Sequence, residues 1–591
     1  MIRSKIIRNT FYVQLVAYIL SSLTRTIGGM IDGVIIGQFL GVDSMAAFGI
    51  ISPLMVGFAL TGSIVASGSR YRYTMLIGEG QIKKAQGIYT LSVIVSVGIA
   101  ALLMLIIIPL AGPIASLLGA SGNAADLLPK AKDYLIGIAI GLPAINGMHI
   151  LNNYMAIDND VQLPVIASMV LTATDIILDI IVAFVIHGDT FEMGLATSIS
   201  YTMAVLVLLL HFRKKNIILH FTPKNIDWKE LGGIITKGLP VGVFRVGFTI
   251  RSAFMNGLLA AIASSSAIAA YSVYQQADEF LCCLTIGMGE AVATLAGVLL
   301  GEEDRPGMKR LLFISIQATL VITLGTACIT FGAAPLFVSL FIRNAPEAFV
   351  MSVRAVRAYA IGMPLYGMSL IYFNYFQGIG KSRLSSITGF LSESGFLMLS
   401  AGILSRFIGA DAIWFAFPTT QLMMYILYTF IIAWHSKKLQ ISKMSVVDKI
   451  LLLPGDFDVS KEEYLDVSIS DRSEVVSLSD SAWNFCKEHG CDKRRTYLMS
   501  LCVEELTKNI FTYGFSYDKR KHSIDMRIIH KGEDYILRVR DDCYIFDPVN
   551  QLTLYSDEDL KHHMGLRMTI GEAKEVHYAS ILKMNNLLIR V

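Results

Sequence analysis

The chain has 591 residues, of which 54% are hydrophobic and only 16% charged, with a mean hydropathy of +0.56, whereas soluble domains carry about 25% charged residues. That is a membrane composition, and 15 Pro, 48 Gly and 7 Cys exclude the collagen-like, disordered and disulfide-stapled classes. The net charge of +3 comes from 50 basic and 47 acidic residues with no basic cluster on one face, so no nucleic acid partner is implied.

A membrane helix needs about 20 mostly apolar residues, because the hydrocarbon core is about 30 Å thick. The chain meets this requirement about twelve times, at roughly 12–39, 45–67, 88–110, 134–154, 163–186, 193–212, 239–262, 267–300, 311–341, 359–376, 384–404 and 412–434. The first run is read as a membrane helix rather than a cleaved signal, since Arg25 and Asp32 interrupt it. Basic residues concentrate in alternate loops, among them Arg70, Arg72, Lys83, Lys84, Arg213–Lys215, Lys309, Arg310, Lys381, Lys437 and Lys438. Basic loops mark the cytoplasmic side. Both termini are therefore expected inside, which requires an even number of spans.

The two halves of the apolar region resemble each other. Ile140-Gly141-Leu142-Pro143 with Asn153-Tyr154 recurs as Ile361-Gly362-Met363-Pro364 with Asn374-Tyr375, and Gly78-Glu79-Gly80 before Lys83-Lys84 recurs as Gly301-Glu302-Glu303 before Lys309-Arg310. A parallel repeat of six helices is typical of secondary transporters with alternating access.

From about residue 446 the chain is charged and punctuated, and no run there would span a bilayer. The pattern predicts a strand at Tyr464–Ile469, helices at 473–488 and 493–513, strands at 524–530 and 535–541, a lid-like segment to about 562, a helix at 566–575, and strands at 575–579 and 587–591. Alternation of Ile536, Arg538 and Arg540 with Leu537 and Val539 reads as a half-buried strand. The whole is expected to be an all-α polytopic membrane protein of twelve transmembrane helices in two six-helix lobes, 1–220 and 221–445. A cytoplasmic α+β domain, 446–591, follows.

Acidic and hydroxyl groups inside apolar runs need a reason, since a charge at mid-bilayer costs at least about 2.5–3.5 kcal/mol. Asp32, Asp175, Asp179 and Thr197 are such groups. Asp175 and Asp179 lie one helical turn apart on one face. Two close carboxylates disfavour simultaneous ionisation, which raises one pKa towards the range where a proton is traded; with hydroxyl and carbonyl oxygens the same groups would serve Na⁺.

Met30-Ile31-Asp32-Gly33-Val34-Ile35-Ile36-Gly37, Met45-Ala46-Ala47-Phe48, Ile51-Ser52-Pro53 and Gly194-Leu195-Ala196-Thr197 resemble the multidrug and toxic compound extrusion (MATE) family over about residues 6–438. The resemblance implies exchange of cationic or aromatic organic compounds for H⁺ or Na⁺, with a cation site at Asp32, Asp179 and Thr197. Asp175 stands where that family usually has Asn.

In the tail, Glu504-Glu505-Leu506-Thr507-Lys508-Asn509 puts Glu505 and Asn509 on one helix face, the geometry of a base beside a Mg²⁺ ligand. With Val539-Arg540-Asp541-Asp542-Cys543 and Met564-Gly565-Leu566-Arg567, this resembles the histidine-kinase-like ATPase fold, especially its anti-sigma-factor serine kinase branch. The resemblance implies ATP and Mg²⁺, with Asn509, Asp541 and Gly565 at the nucleotide, Asn509 at the metal and Glu505 as the catalytic base. Cys543, Ile545 and His563 replace glycines of that pattern, so binding is expected to survive better than turnover.

Together these readings describe a plasma-membrane exporter, not an enzyme, with a cytoplasmic regulatory domain and a cytoplasmic regulatory protein as its expected partner. A membrane sensor acting through its tail and a flippase for lipid-linked saccharides are the alternatives.

Overall fold

A computed structural model describes the chain except for residues 1–4, 36–41, 119, 121–125, 216, 263–264, 343–345, 408–409, 516–519, 546, 548–566 and 568–569. Up to Lys438 the described residues are mostly helical: α1 (Lys5–Ile35), α2 (Val42–Gly78), α3 (Ile82–Leu118), α4 (Leu128–Ile140), α5 (Leu142–Ile157), α6 (Gln162–Ile181), α7 (Thr190–Leu209), α8 (Glu230–Ile262), α9 (Ser265–Gly301), α10 (Arg305–Ser339), α11 (Pro346–Gly378), α12 (Ser382–Phe390), α13 (Phe396–Phe407) and α14 (Ala416–Lys438). Among the described residues nine segments are long and apolar enough to cross a bilayer, or ten if α4 and α5 count as one bent span. The chain is therefore a mostly helical polytopic membrane protein. The first two apolar runs of the sequence fall on α1 and α2, whose facing ends adjoin residues 36–41, outside the description.

The run expected as one helix at 134–154 is broken. α4 and α5 meet at 46° around Gly141, with Pro143 in the first turn of α5 unable to donate a backbone hydrogen bond. A Cβ on Gly141 would lie 2.7 Å from the Ser198 Cα of α7, so glycine allows that approach. In the second copy of the motif α11 runs unbroken through Pro364, and Gly362 presses instead on the Phe417 ring of α14.

α1 and α2 pack against α8 and α9, joining the first seven helices to the next seven. The contact is backbone on backbone. A Cβ on Gly68 of α2 would sit 1.8 Å from the Ile234 carbonyl oxygen, and one on Gly238 of α8 would sit 1.9 Å from that of Ile64. Gly78 and Gly301 are likewise reciprocal, at 2.3 Å from the Val298 oxygen and 2.1 Å from the Met75 oxygen. Inside a membrane, association relies on such close packing rather than on expelling water.

After α15 (Val446–Leu451), a five-stranded antiparallel sheet forms: β1 (Tyr464–Ile469), β2 (Ile524–Lys531), β3 (Asp534–Asp541), β4 (Glu575–Ile581) and β5 (Met584–Arg590), in the order β1-β2-β3-β5-β4. α16 (Val475–Glu488) and α17 (Lys493–Asn509) cover one face, burying Leu478, Ala482, Met499 and Val503 against Met526, Leu537, Val539 and Leu587. The longer helix expected at 493–513 ends at Asn509 and continues as a wider π turn, Ile510–Gly514. Most of the lid-like segment lies outside the described residues, as do residues 566, 568 and 569 of the helix expected at 566–575; residues 570–572 are helical, and β4 has begun by Glu575.

β3 departs from the half-buried reading. Arg538 and Arg540 are themselves buried, because the second face of the sheet covers the turn between α9 and α10. Arg540 Nη1 lies 2.8 Å and Arg527 Nη1 2.9 Å from the Asp304 carboxylate, and Arg540 also pairs with Glu302. Burial pushes the Asp304 carboxyl up, but Arg540 and Arg527 outweigh it and hold it well below the usual carboxylate range. This ion cluster therefore persists above that range and is lost only as pH falls through the depressed value.

The glycine contacts give the first test. Gly68→Ala and Gly238→Ala each force a methyl into a backbone carbonyl, and each should cost about 1–3 kcal/mol. Gly98→Ala, whose added Cβ meets nothing within 4 Å, should stay within about 0.5 kcal/mol. Thermal unfolding of the purified protein in detergent measures all three; equal melting temperatures would contradict the packing described.

Candidate functional site

α6 places Asp175 and Asp179 in its C-terminal half, one turn apart and both buried. The helix packs between α1 and α7. A turn before Asp175, Thr172 Oγ1 donates to the Thr24 carbonyl oxygen of α1 at 3.1 Å, and Gly28 of α1 leaves only 3.1 Å between its would-be Cβ and the same hydroxyl. This ties α1 to the acid-bearing face of α6. Asp32 lies on α1 one turn beyond Gly28, but its side chain is outside the described residues. Thr197 sits half-buried on α7, donating at 3.4 Å to the Met193 carbonyl oxygen. The structure thus puts two of the four residues on one buried helix face and the other two on the helices that flank it.

A second buried charged group lies among the later helices. Arg251 of α8 reaches Asp278 of α9 at 2.5 Å and Glu393 of the π turn after α12 at 3.2 Å, and Tyr366 of α11 donates to Glu393 at 2.9 Å. The Phe248 ring lies 4.5 Å from the guanidinium. Arg251, Asp278 and Glu393 form a triad that holds one guanidinium against two carboxyl groups. No local signal in the sequence links Asp278 to Arg251 and Glu393, which lie 27 and 115 residues away.

In the C-terminal domain a cavity of about 260 Å³ opens between α17 and its π turn on one side and β3 and β5 on the other. Asn509 and Asp541 both line it, together with Tyr544, Tyr578 and Asn585. Asp541 Oδ1 accepts from Asn585 Nδ2 at 2.8 Å and from the Cys543 backbone N–H at 3.0 Å. Burial pushes its carboxyl up to about 6 against those two hydrogen bonds. Glu505, one turn before Asn509, is half-buried and is not among the residues lining the cavity; that departs from its expected place as a base. Cys543 and Ile545 line the cavity where the ATPase pattern has glycine, with Cys543 packed on Gly514. Gly565 lies outside the described residues. Asn585 is the polar residue that sequence reading missed, because only the β3–β5 register, Asp541 opposite Asn585, brings it to the cavity.

Among the described residues, the side chains that cluster with metal-ligand chemistry are His522, Asp542 and Cys543, with ligand atoms within 4.8 Å of one another. The His522 imidazole and the Ser523 backbone N–H already engage the Asp542 carboxylate, at 3.3 and 3.0 Å.

Known proteins bear on the helical part. The chain is 21% identical over 431 residues to the multidrug export protein MepA of Staphylococcus haemolyticus, covering 73% of this chain and 94% of that one. It is 24% identical over 401 residues to a probable multidrug resistance protein NorM of Xanthomonas campestris, covering 64% and 82%. Among solved structures it is similar to a MATE protein in complex with MaL6, with a TM-score of 0.66 at 19% identity over 71% of this chain and 94% of that one. A MOP superfamily transporter from Pyrococcus furiosus aligns with the same score and coverage at 18% identity. At these identities the structural likeness is one of fold. The MatE family matches residues 17–181 and 240–400, more than half of the chain, and its match ends before the C-terminal sheet. The chain therefore belongs to the MatE family, whose members are secondary transporters and not enzymes.

Proposed function

We propose that the chain is an antiporter that exports organic, cationic or aromatic compounds in exchange for H⁺ or Na⁺. The observation that carries this reading is the pair of buried carboxyl groups, Asp175 and Asp179, on one face of α6 in a MatE chain. Buried acids in a membrane bundle are costly and mark ion pathways. Relatives named as multidrug exporters support the cargo class. In this reading Asp32 and Thr197 complete the coupling site, and twelve spans form two lobes, 1–220 and 221–445, in the plasma membrane. Both termini are cytoplasmic.

The C-terminal domain, 446–591, is in this reading a cytoplasmic regulatory unit with a ligand site of the histidine-kinase-like ATPase kind. Asn509 and Asp541 on one cavity support a ligand that donates an amino hydrogen to the Asp541 carboxylate, as adenine does. Mg²⁺ would be held from Asn509 and the phosphates near Gly565. Cys543 and Ile545 in the cavity, and Glu505 outside it, support binding without turnover.

Two measurements test these readings. In proteoliposomes, an imposed H⁺ or Na⁺ gradient should drive movement of a fluorescent organic cation, and Asp179→Asn should reduce the driven rate at least about tenfold while the protein still purifies folded; wild-type rates in the variant would sink the assignment. Titration calorimetry of the full chain with ATP should show affinity rising as pH increases through about 6, because only the ionised Asp541 accepts the amino hydrogen. Asp541→Asn should weaken binding by about 1–3 kcal/mol and remove the pH dependence. Equal affinity at pH 5 and pH 7.5 would contradict the assignment of Asp541.

A further inference from the structure

The C-terminal sheet touches both helical sets at one end of the bundle. On the side of α9 and α10, Arg527 and Arg540 hold Asp304, Arg540 and Asn586 hold Glu302, and Arg538 donates to the Glu302 carbonyl oxygen at 2.7 Å. Glu302, Asp304, Arg527, Arg538 and Arg540 are all buried, so none of these charges is left in water. Arg527 also binds Asp458 at 2.6 Å, and Asp458 accepts from the Arg305 backbone N–H, the first residue of α10, at 3.1 Å.

On the side of α2 to α6, the tip of the β4–β5 hairpin does the work. The Leu582 backbone N–H donates to the Ile157 carbonyl oxygen at 2.8 Å, Lys583 N–H donates to Asn159 Oδ1 at 2.5 Å, and Asn159 Nδ2 donates to Ser580 Oγ at 2.9 Å. The Leu582 side chain is fully buried in the hydrophobic cluster of the helices. His577 of β4 lies against Gly80, in the turn between α2 and α3.

The hairpin tip is strained. Leu582 and Lys583 both have positive φ, 54° and 59°. A two-residue turn with positive φ at both positions normally takes Asn-Gly or Asp-Gly. Leucine and lysine persist in such a conformation only where the surroundings over-determine it, and here the surroundings are the helices.

The two helical sets meet at this same end. Gly78 and Gly301, whose backbones close the α2–α9 contact, are within three residues of Gly80 and Asp304. Sheet docking and closure of the bundle are therefore one arrangement. We propose that the C-terminal domain is a latch: it grips residues 80 and 157–159 of the first helical set and 302–305 of the second, and so holds this end of the transporter closed. Opening the transport path on this side then requires the sheet to release one set, which places transport under the domain's control. The inference rests on the two-lobe transporter reading.

Hydrogen–deuterium exchange of the full chain in lipid nanodiscs tests the latch without any cargo, so that failure of the latch and failure of the export reading are distinguishable. Two variants attack opposite grips. Arg540→Glu breaks the ion cluster, and Leu582→Asn with Lys583→Gly removes the buried plug while giving the hairpin its preferred turn residues. In either variant, segments 74–82 and 298–306 should exchange at least about tenfold faster. If Arg540→Glu unfolds the sheet, seen as full exchange across β3 and β5, the hairpin variant alone decides. Wild-type exchange in 74–82 and 298–306 of the hairpin variant overturns the proposal, whether or not the hairpin itself exchanges faster.

Discussion

The architecture depends on backbone meeting backbone at the α2–α8 and α2–α9 contacts. Gly68 with Gly238 and Gly78 with Gly301 are reciprocal, each lying where a methyl would strike the other helix's carbonyl. In hydrocarbon there is no hydrophobic gain in pressing two apolar helices together, so association must come from dispersion at short range. The geometry that glycine allows fixes how the two helical sets sit, and with it where α1 lies against α6 and where the α9–α10 turn meets the sheet.

The C-terminal sheet solves a different problem. Its helix-covered face is an ordinary apolar core, but its other face brings three arginines onto an acidic turn. Removing such charges from water costs several kcal/mol per ion, recovered only where partners and hydrogen bonds are complete. The carboxylate of Asp304 receives two guanidinium groups and the Gly307 backbone N–H, which caps α10. One residue thereby anchors a membrane helix and its covering domain. Asp466, on β1, is the member left poorly served: burial pushes it up to about 6, only partly offset by Arg527.

Much of this was legible in the sequence, for reasons that differ by region. Long apolar runs located the helices because hydrocarbon thickness imposes a minimum length, and β1 was read at its observed bounds because period-two alternation is local. The break at Gly141 was not seen, since hydropathy does not distinguish a straight helix from a bent one. β3 reads as half-buried because alternation reports which face is polar and not what covers it; Glu302 and Asp304, the partners of Arg538 and Arg540, lie more than 230 residues earlier. Asp175 and Asp179 stood out as acids in an apolar run, and Asn509 with Asp541 through motif order. The pairing of Asp278 with Arg251, and the place of Asn585 beside Asp541, are not legible because only tertiary packing, or strand register, brings them together.

The central claim is that buried carboxyl groups in this helical bundle couple an ion to organic cargo. Its most direct measurement runs the exchange backwards. In proteoliposomes containing a pH- or Na⁺-sensitive dye, with no ion gradient imposed, a gradient of an organic cation alone should drive H⁺ or Na⁺ in the opposite direction, and Asp179→Asn should abolish that ion movement. Cargo movement with no accompanying flux of either ion in the wild-type protein would contradict the account.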